Sequence, residues 1–321
     1  MKLWKYPAIA IALAAVSLTA LNASWLAGQV NAPLVLVARN GFAQPVADGA
    51  SGPCAAVQMA LPGPLIIENS LHGMHEATRL GARGFALDVR RTADGQLVVF
   101  RDPTLDCRTN GRGPVSARTL AELRRLDFGF GYTPDGGRSF PLRGRGMGGI
   151  ATVPDILQSV RSGRLIFILR DPDPALAEPM AQALRRAGTE VQERVGLIGP
   201  EPVIARLRAL LPGIWTFSRE ASEACLAAYR SSGWTGFVPE ECRDTVVALT
   251  TDTDWRLWGF PYRFYQRMAG AGTEVMTVGG FDSDGVPTGL TQAEQLGDVP
   301  RHFRGLLWVE DMQNVGRALV Y

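Results

Sequence analysis

The stretch Gly81–Asp102, which reads GARGFALDVRRTADGQLVVFRD, decides the fold of this chain. Two apolar runs, Phe85–Val89 and Leu97–Phe100, flank the polar segment Thr92–Gly95. An Asp-Gly pair between two β-rich runs is typical of a β-hairpin. The sequence therefore predicts two antiparallel strands joined by a tight turn.

The register of this hairpin depends on where the turn lies. If the turn centres on the Ala-Asp pair before the glycine, Ala86 lies opposite Arg101. Asp88 then lies opposite Val99. Because side chains alternate along a strand, these four residues share one face. That face carries an acid and a base, and we interpret it as the floor of a functional site.

The same stretch resembles the glycerophosphodiester phosphodiesterases, whose pattern is G-A-x-x-x-E-x-D-V, then T-x-D-G, then V-V-x-H-D. The two departures from the pattern affect functional positions: Ala86 replaces the first acid of E-x-D, and Arg101 replaces the histidine of H-D. The matching residues are Gly81, Ala82, Asp88, Val89, Thr92, Asp94, Gly95, Val98, Val99 and Asp102.

Other segments extend the resemblance. Residues 38–40 stand where the family has H-R-G, so Arg39 matches and Ala38 replaces the histidine. Glu68 begins a tripeptide that matches the family's E-N-T and keeps a metal-ligand position. Arg170 keeps the positive charge of a family lysine at the end of a later strand.

The resemblance implies a TIM barrel, and the periodicity of the second half agrees with it. Helical segments alternate there with short apolar runs, including Val195–Gly199, Ile214–Phe217 and Gly236–Pro239. Such alternation predicts βα units and a parallel sheet. Nine strand-like runs are one too many for eight barrel strands, and the tight turn accounts for the surplus. The predicted fold is a modified (β/α)8 TIM barrel with an extra β-hairpin over residues 31–321.

In the family, the resemblance implies, three carboxylates hold a divalent cation and two histidines act as general acid and base. Glu68 and Asp88 remain as a remnant metal site, which predicts weakened binding of Mg²⁺ or Ca²⁺. Ala38 has no titratable group, and Arg101 stays protonated at any accessible pH. Loss of both proton carriers predicts a rate lower by about 10⁴–10⁸-fold.

Three arginines each end a predicted barrel strand, so Arg39, Arg101 and Arg170 should converge. Guanidinium groups bind phosphate in a bidentate manner. The sequence thus predicts a site for a glycerophosphodiester or phospholipid headgroup with little or no turnover. An alternative stays open, in which these arginines pair with Glu68, Asp88 and Asp102 and fill a pocket that binds nothing.

Two further alternatives belong to other classes of function. An active metal-dependent hydrolase would need a replacement acid and base; His72 and His75 lie three residues apart on one helix face beside Glu68, although exposed helix histidines explain them as well. A partner-binding envelope protein would use the long loop Gly41–Pro64, which predicts a lid or rim over the site.

The N-terminus predicts a membrane or export segment. Lys2 and Lys5 precede an apolar run from Pro7 to Ala27, long enough to cross a bilayer. No A-x-A cleavage site precedes a mature start, which favours a retained signal anchor over residues 1–30. The barrel would then lie in the periplasm or outside the cell. The net charge of +2 gives no electrostatic case for nucleic acid.

The chain has four cysteines, which allow three pairings. We favour Cys54–Cys107, because both lie in loops beside the early strands, and Cys225–Cys242, because they are close in sequence. The spacing suits no zinc site, so structural disulfides are predicted.

Overall fold

The computed structural model describes residues 5–28, 30–47, 50, 54–60, 63–251 and 256–320. The strands are β1 (Leu34–Arg39), β2 (Gly84–Arg91), β3 (Leu97–Val99), β4 (Arg164–Leu169), β5 (Val195–Ile198), β6 (Trp215–Phe217), β7 (Val246–Thr250), β8 (Glu274–Val278), β9 (Gly280–Phe281), β10 (Pro287–Thr288) and β11 (Gly305–Val309). The helices are α1 (Lys5–Asn22), α2 (Leu71–Arg79), α3 (Leu120–Leu123), α4 (Val153–Ser159), α5 (Ala177–Ala187), α6 (Thr189–Glu193), α7 (Glu201–Leu210), α8 (Arg219–Ser232), α9 (Tyr262–Gly270) and α10 (Arg317–Val320).

Eight parallel strands form a nearly closed barrel in the order β6-β5-β4-β2-β1-β11-β8-β7, and β3 pairs with β2 outside this path. In the middle of the path, Ala38 of β1 lies against Phe85 on one side and Val309 on the other. The apolar strands are buried on both faces, as parallel sheets require. The predicted modified TIM barrel with an extra hairpin is confirmed.

Alternate residues of each strand pack into two cores. Val37, Ile166 and Trp308 belong to the cluster inside the barrel, whereas residues such as Leu36 and Phe167 pack against the helices. Because the eight strands are parallel, their C-terminal ends all lie at one end of the barrel. We call that end the barrel mouth.

The hairpin forms as predicted, but its loop has three residues rather than two. The Thr92 N–H donates to the Gln96 carbonyl at 2.9 Å, and the Gly95 N–H donates to the Thr92 carbonyl at 3.0 Å. Gly95 has a φ of +76°, which glycine adopts at little cost. A three-residue loop that ends on such a glycine is a common hairpin connection.

The longer loop shifts the register by one residue. Val89 pairs with Val99, whereas the two-residue turn predicted that Asp88 would do so. A one-residue shift exchanges the two faces of a strand, so the predicted shared face of Ala86, Asp88, Val99 and Arg101 is wrong. Arg101 follows the end of β3, and its position is set by the loop after the strand instead.

The predicted strand Gly236–Pro239 is also wrong. Gly236 has a φ of +88° and ends a 3-10 helix, and no strand includes this described segment. The sixth barrel strand along the chain is β7, whose sequence VVALT lies just downstream. Proline cannot donate to a strand ladder, and β-branched residues favour strands, so the local chemistry agrees with the structure.

Both predicted disulfides are present. Cys54 bonds to Cys107, which ties the loop after β1 to the loop after β3. Cys225 of α8 bonds to Cys242 just before β7. The two bonds therefore brace the loops at the mouth and the outer helical layer separately.

Helix α1 precedes the barrel and exposes its apolar side chains. Ile11, Leu13 and Val16 are all more than half exposed. Within the described residues, no helix has the combined length and hydropathy that a membrane crossing requires. The signal anchor over residues 1–30 stays a prediction, and residues 1–4 lie outside the described part of the chain.

Candidate functional site

Asp88 lies near the end of β2 and is completely buried at the barrel mouth. Its Oδ2 accepts a hydrogen bond from Arg39 at 3.0 Å, and its Oδ1 accepts one from Arg170 at 2.5 Å. Burial raises the pKa of this carboxyl, but Arg39, Arg170 and Arg101 outweigh it and hold the pKa well below its usual range. Asp88 is therefore a carboxylate that two guanidinium groups neutralise.

Arg170 bridges three carboxylates with its three nitrogens. Besides Asp88, it contacts Asp282 through NH2 and Asp284 through NH1, both at 2.8 Å. Burial lowers the pKa of Arg170, but the charges of Asp88 and Asp282 outweigh burial and raise it. The two aspartates lie in the loop between β9 and β10, which this arginine fastens over the mouth. Their sequence, FDSDG, indicates a turn but not its distant partner.

A second ion-pair network surrounds Glu68. This buried carboxylate accepts hydrogen bonds from the Gln44 backbone N–H at 2.8 Å and from the guanidinium of Arg108. Arg108 also donates to Asp102 at 2.7 Å and to the Tyr132 hydroxyl at 2.5 Å. Burial lowers the pKa of Arg108, but Glu68, Tyr132 and Asp102 raise it well above its ordinary value. Sequence analysis identified Glu68 and missed both Arg108 and Tyr132.

Arg101 differs from the other arginines at the mouth. Among the described residues, nothing forms an ion pair or hydrogen bond with its guanidinium group. Its side chain lines a cavity of about 320 Å³. The other lining residues are Gln44, Pro45, Val46, Ala55, Glu68, Thr291, Glu310 and Asp311. Four of these belong to the described part of the loop Gly41–Pro64, which forms a rim of the cavity.

Several buried polar atoms around the mouth have no partner among the described residues. The donors are Nε and NH2 of Arg39, Nδ2 of Asn40, NH2 of Arg108 and Nε2 of Gln44. The acceptors are Oε1 of Gln44 and Oδ1 of Asn69. Because native proteins rarely leave such atoms unpaired, this concentration indicates a polar ligand or solvent at the mouth. The excess of donors favours a ligand with negative charge.

The residues at the mouth do not fit a divalent cation. Glu68 and Asp88, the remnant metal positions, direct their oxygens to arginines, and a cation would have to displace those guanidinium groups. In the described part of the chain, no group of three or more histidines, cysteines and carboxylates is arranged to hold a metal. His72 and His75 lie on the exposed face of α2 rather than beside Glu68.

The positions of the two missing histidines offer no replacement proton carrier. Ala38 is fully buried in the apolar core at the end of β1. His302, the third histidine of the chain, packs its ring against Tyr262. The cavity of Arg101 and the ion-pair networks around it thus contain arginines and carboxylates, and no histidine lies among their described residues.

The sequence comparisons find local similarity to one family. The model of the glycerophosphoryl diester phosphodiesterase family matches residues 50–201. A glycerophosphodiester phosphodiesterase from Caldanaerobacter subterraneus is 46% identical over 65 residues, which cover 20% of this chain and 27% of that protein. One from Bacillus subtilis is 39% identical over 62 residues, covering 19% and 21%. The matched stretches thus span much less than half of either relative.

Solved structures resemble the whole barrel. The glycerophosphoryl diester phosphodiesterase domain of a Mycobacterium tuberculosis protein has a TM-score of 0.65 at 17% identity and covers 90% of this chain and 99% of that chain. An Oleispira antarctica phosphodiesterase in complex with the product sn-glycerol-3-phosphate has a TM-score of 0.56 at 18% identity, covering 90% and 98%. At these identities the likeness supports the fold.

Proposed function

Because this chain belongs to the glycerophosphoryl diester phosphodiesterase family, we propose that its barrel mouth binds a glycerophosphate-type anion and hydrolyses phosphodiesters slowly or not at all. One observation carries the proposal: Arg101 has no partner among the described residues and lines a cavity together with Gln44, whose buried amide atoms also lack one. The neighbour that contains sn-glycerol-3-phosphate supports the class of ligand.

The charge pattern around Arg101 suits a phosphate that carries hydroxyl groups. The free guanidinium offers several N–H donors to phosphate oxygens. Glu310 and Asp311 line the same cavity and can accept hydrogen bonds from hydroxyls. The Gln44 side chain, with both amide atoms unpaired, can serve either group. Of the three arginines predicted to bind phosphate, Arg101 is thus the principal candidate.

Arg39 and Arg170 take the arrangement of the alternative, in which the arginines pair with acids. Both already bond to Asp88, so a large share of their charge is compensated. Arg39 retains two unpaired donors, whereas each nitrogen of Arg170 has a carboxylate partner. We therefore assign Arg39 an auxiliary role in anion binding and Arg170 a role in holding the loop after β9.

The weak or absent turnover rests on the chemistry of the replaced groups. Alanine transfers no proton, and arginine does not release one, so Ala38 and Arg101 supply no acid–base catalysis. The carboxylates that would recruit a cation are held by arginines. Slow turnover or none is therefore what these replacements support.

Thermal unfolding in the presence of sn-glycerol 3-phosphate tests the binding. At a ligand concentration of about 100 Kd, linkage predicts stabilisation by about 2.7 kcal/mol. For a domain of this size that corresponds to a rise in Tm of about 5–10 °C. Arg101→Gln should remove the rise, while Arg161→Gln, which removes an exposed arginine at the opposite end of the barrel, should preserve it. Glycerol alone should have no effect.

Two results would overturn the proposal. One is an equal rise in Tm for the protein and for Arg101→Gln, which would locate the anion elsewhere. The other is release of glycerol phosphate from glycerophosphodiesters, followed by ³¹P NMR with Ca²⁺ or Mg²⁺ and abolished by Glu68→Ala and Asp88→Ala. That second result would establish the hydrolase alternative.

A further inference from the structure

Arg267 of α9 fastens the C-terminal end of α1 to the outside of the barrel. Its NH2 donates to the Leu21 carbonyl at 3.0 Å, and its NH1 donates to Oδ1 of Asn22 at 3.1 Å. The same NH1 donates to the Tyr229 hydroxyl at 2.8 Å and to the Gly233 carbonyl at 2.9 Å. One side chain thus joins α1, α8 and the turn after α8.

Large aromatic side chains surround this junction and are exposed. Phe237 is 80% exposed and Trp25 is 78% exposed. Trp234 and Trp258 are 45% and 40% exposed. We call these four residues the aromatic collar. They come from three separate segments of the chain, so the fold rather than the local sequence brings them together.

Hydrogen bonds place the collar residues next to the junction. The Trp234 carbonyl accepts from Asn22 at 2.9 Å, and the Trp258 carbonyl accepts from the Tyr229 hydroxyl at 2.9 Å. Trp25 lies in the 3-10 helix that directly follows α1. Phe237 follows Gly236, where an added Cβ would lie 3.1 Å from Cδ2 of Leu21. The four residues therefore lie around the end of α1, and all four side chains are exposed.

Helix α1 indicates what covers this surface. Ile11, Leu13 and Val16 are 70%, 63% and 66% exposed, and together they occupy different sides of the helix. A helix that is apolar on all sides is stable only where apolar surroundings enclose it, which a single protein face does not provide. A lipid bilayer does. Tryptophan is enriched where a bilayer meets water, because its ring is apolar and its N–H is a donor.

We propose that the aromatic collar seats the barrel on a lipid bilayer, with its rings at the level of the headgroups beside α1. The collar is independent of the anion site, because it involves none of the residues that line the cavity of Arg101. The indole N–H of Trp258 donates to the Arg230 carbonyl, so the protein sets the orientation of this ring. In the proposed arrangement one face of the ring contacts lipid. The proposal adds a second, non-helical contact to the predicted N-terminal segment.

Fluorescence quenching tests the contact in the full chain. The protein is mixed with phosphatidylcholine vesicles whose acyl chains carry bromine, and its tryptophan emission is compared with that in unbrominated vesicles. Trp234→Phe should lower the lipid-quenched part of the emission. Trp215→Phe is the matched control, since Trp215 is partly buried and bonds to Glu274 within the barrel. That control should leave the quenched part unchanged.

A second variant separates the collar from α1, which is expected to bind vesicles by itself. In the double variant Trp234→Ser and Phe237→Ser, quenching of the remaining collar tryptophans should fall at least twofold, because the barrel no longer rests on the bilayer. Met147→Ser, which removes an exposed apolar side chain from the loop between α3 and α4, should have no effect. Quenching that is equal in the protein and the double variant would overturn the proposal. Sedimentation velocity without lipid gives the second refutation. If the parent protein is a dimer and the double variant a monomer, the collar is a self-association surface and the proposal is overturned.

Discussion

Replacing Asp88 by asparagine distinguishes an arginine-neutralised carboxylate from a metal ligand. Asp88 is completely buried, and its partners Arg39 and Arg170 have side chains that are 1% and 4% exposed. Asparagine preserves the shape of the side chain and removes its charge. Arg39 would then have no charged partner among the described residues, and its remaining acceptors would be amide oxygens, such as the Oδ1 of Asn40 at 2.9 Å.

The expected cost follows from that burial. Removing one partner of a buried ion pair destabilises a protein by about 3–5 kcal/mol, because the other charge stays buried without compensation. Arg170 retains Asp282 and Asp284, so most of the cost should arise at Arg39. For a domain of this size, the loss corresponds to a Tm lower by about 6–20 °C.

The assay is urea denaturation followed by circular dichroism, with both disulfides intact and EDTA present. The midpoint should fall while the slope m stays constant, which indicates a change in stability rather than in the exposed surface. Asp284→Asn is the matched control: it removes a carboxylate from the same arginine, but its side chain is 56% exposed. That variant should lie within about 1 kcal/mol of the parent.

The reasoning has a clear refutation. In an empty metal site, a carboxylate is repelled by the other carboxylate ligands. If Asp88 belonged to such a site, Asp88→Asn in EDTA would leave the free energy of unfolding unchanged or raise it. If Asp88→Asn were as stable as Asp284→Asn, the assignment of Arg39 and Arg170 as the permanent partners of Asp88 would be wrong.

Three further predictions use the same unfolding assay. The folded-state pKa of Asp88 is depressed, so its stabilisation is present above the unfolded-state pKa of about 3.9 and is lost as the pH falls below that value; the gap in unfolding free energy between the protein and Asp88→Asn should therefore narrow from about pH 5 to pH 2. The double variant Cys225→Ser and Cys242→Ser opens a loop with a sequence separation of 17, which should cost about 3 kcal/mol. Gly131→Ala should destabilise by more than about 2 kcal/mol, because its Cβ would lie 1.6 Å from the Cys107 carbonyl oxygen.

Each of these has its own control. The difference in unfolding free energy between the protein and Asp88→Asn should stay constant above about pH 6. A difference that grows as the pH falls would contradict a depressed pKa for Asp88. The cysteine variant retains the Cys54–Cys107 bond, which a reductant could also break. The variant and the parent protein are therefore compared without reductant, with this bond oxidised in both. Gly270→Ala, where an added Cβ meets nothing within 4 Å, should be neutral or slightly stabilising; equal losses for both glycine variants would remove the steric explanation.

Local chemistry accounts for the parts of this protein that its sequence determined. The hairpin follows from an Asp-Gly turn between apolar runs, and the parallel sheet of βα units follows from the alternation of short apolar runs with helices. Closure of that sheet into a barrel was implied by the family resemblance. Both disulfides were predictable because four cysteines have few pairings. These features depend on residues that are near one another in the chain, or on the number of cysteines.

The register and the missing strand show where local reasoning ends. The hairpin loop has three residues because Gly95, with its positive φ, is the last residue of the loop rather than the first residue of the next strand. The local sequence is compatible with either loop length. The run Gly236–Pro239 and the strand β7 both contain β-favouring residues; the proline and the positive φ of Gly236 disfavour the first, and the sheet pairs the second with β8.

The ion pairs at the mouth were decided by the tertiary structure alone. Arg170 meets Asp282 across 112 residues, and Arg108 meets Glu68 across 40. Nothing local to either arginine indicates its partner, because the barrel brings the ends of distant strands and their loops to one place. The sequence supplied the charges at the site; the closed sheet determined which of them are neutralised and left Arg101 available.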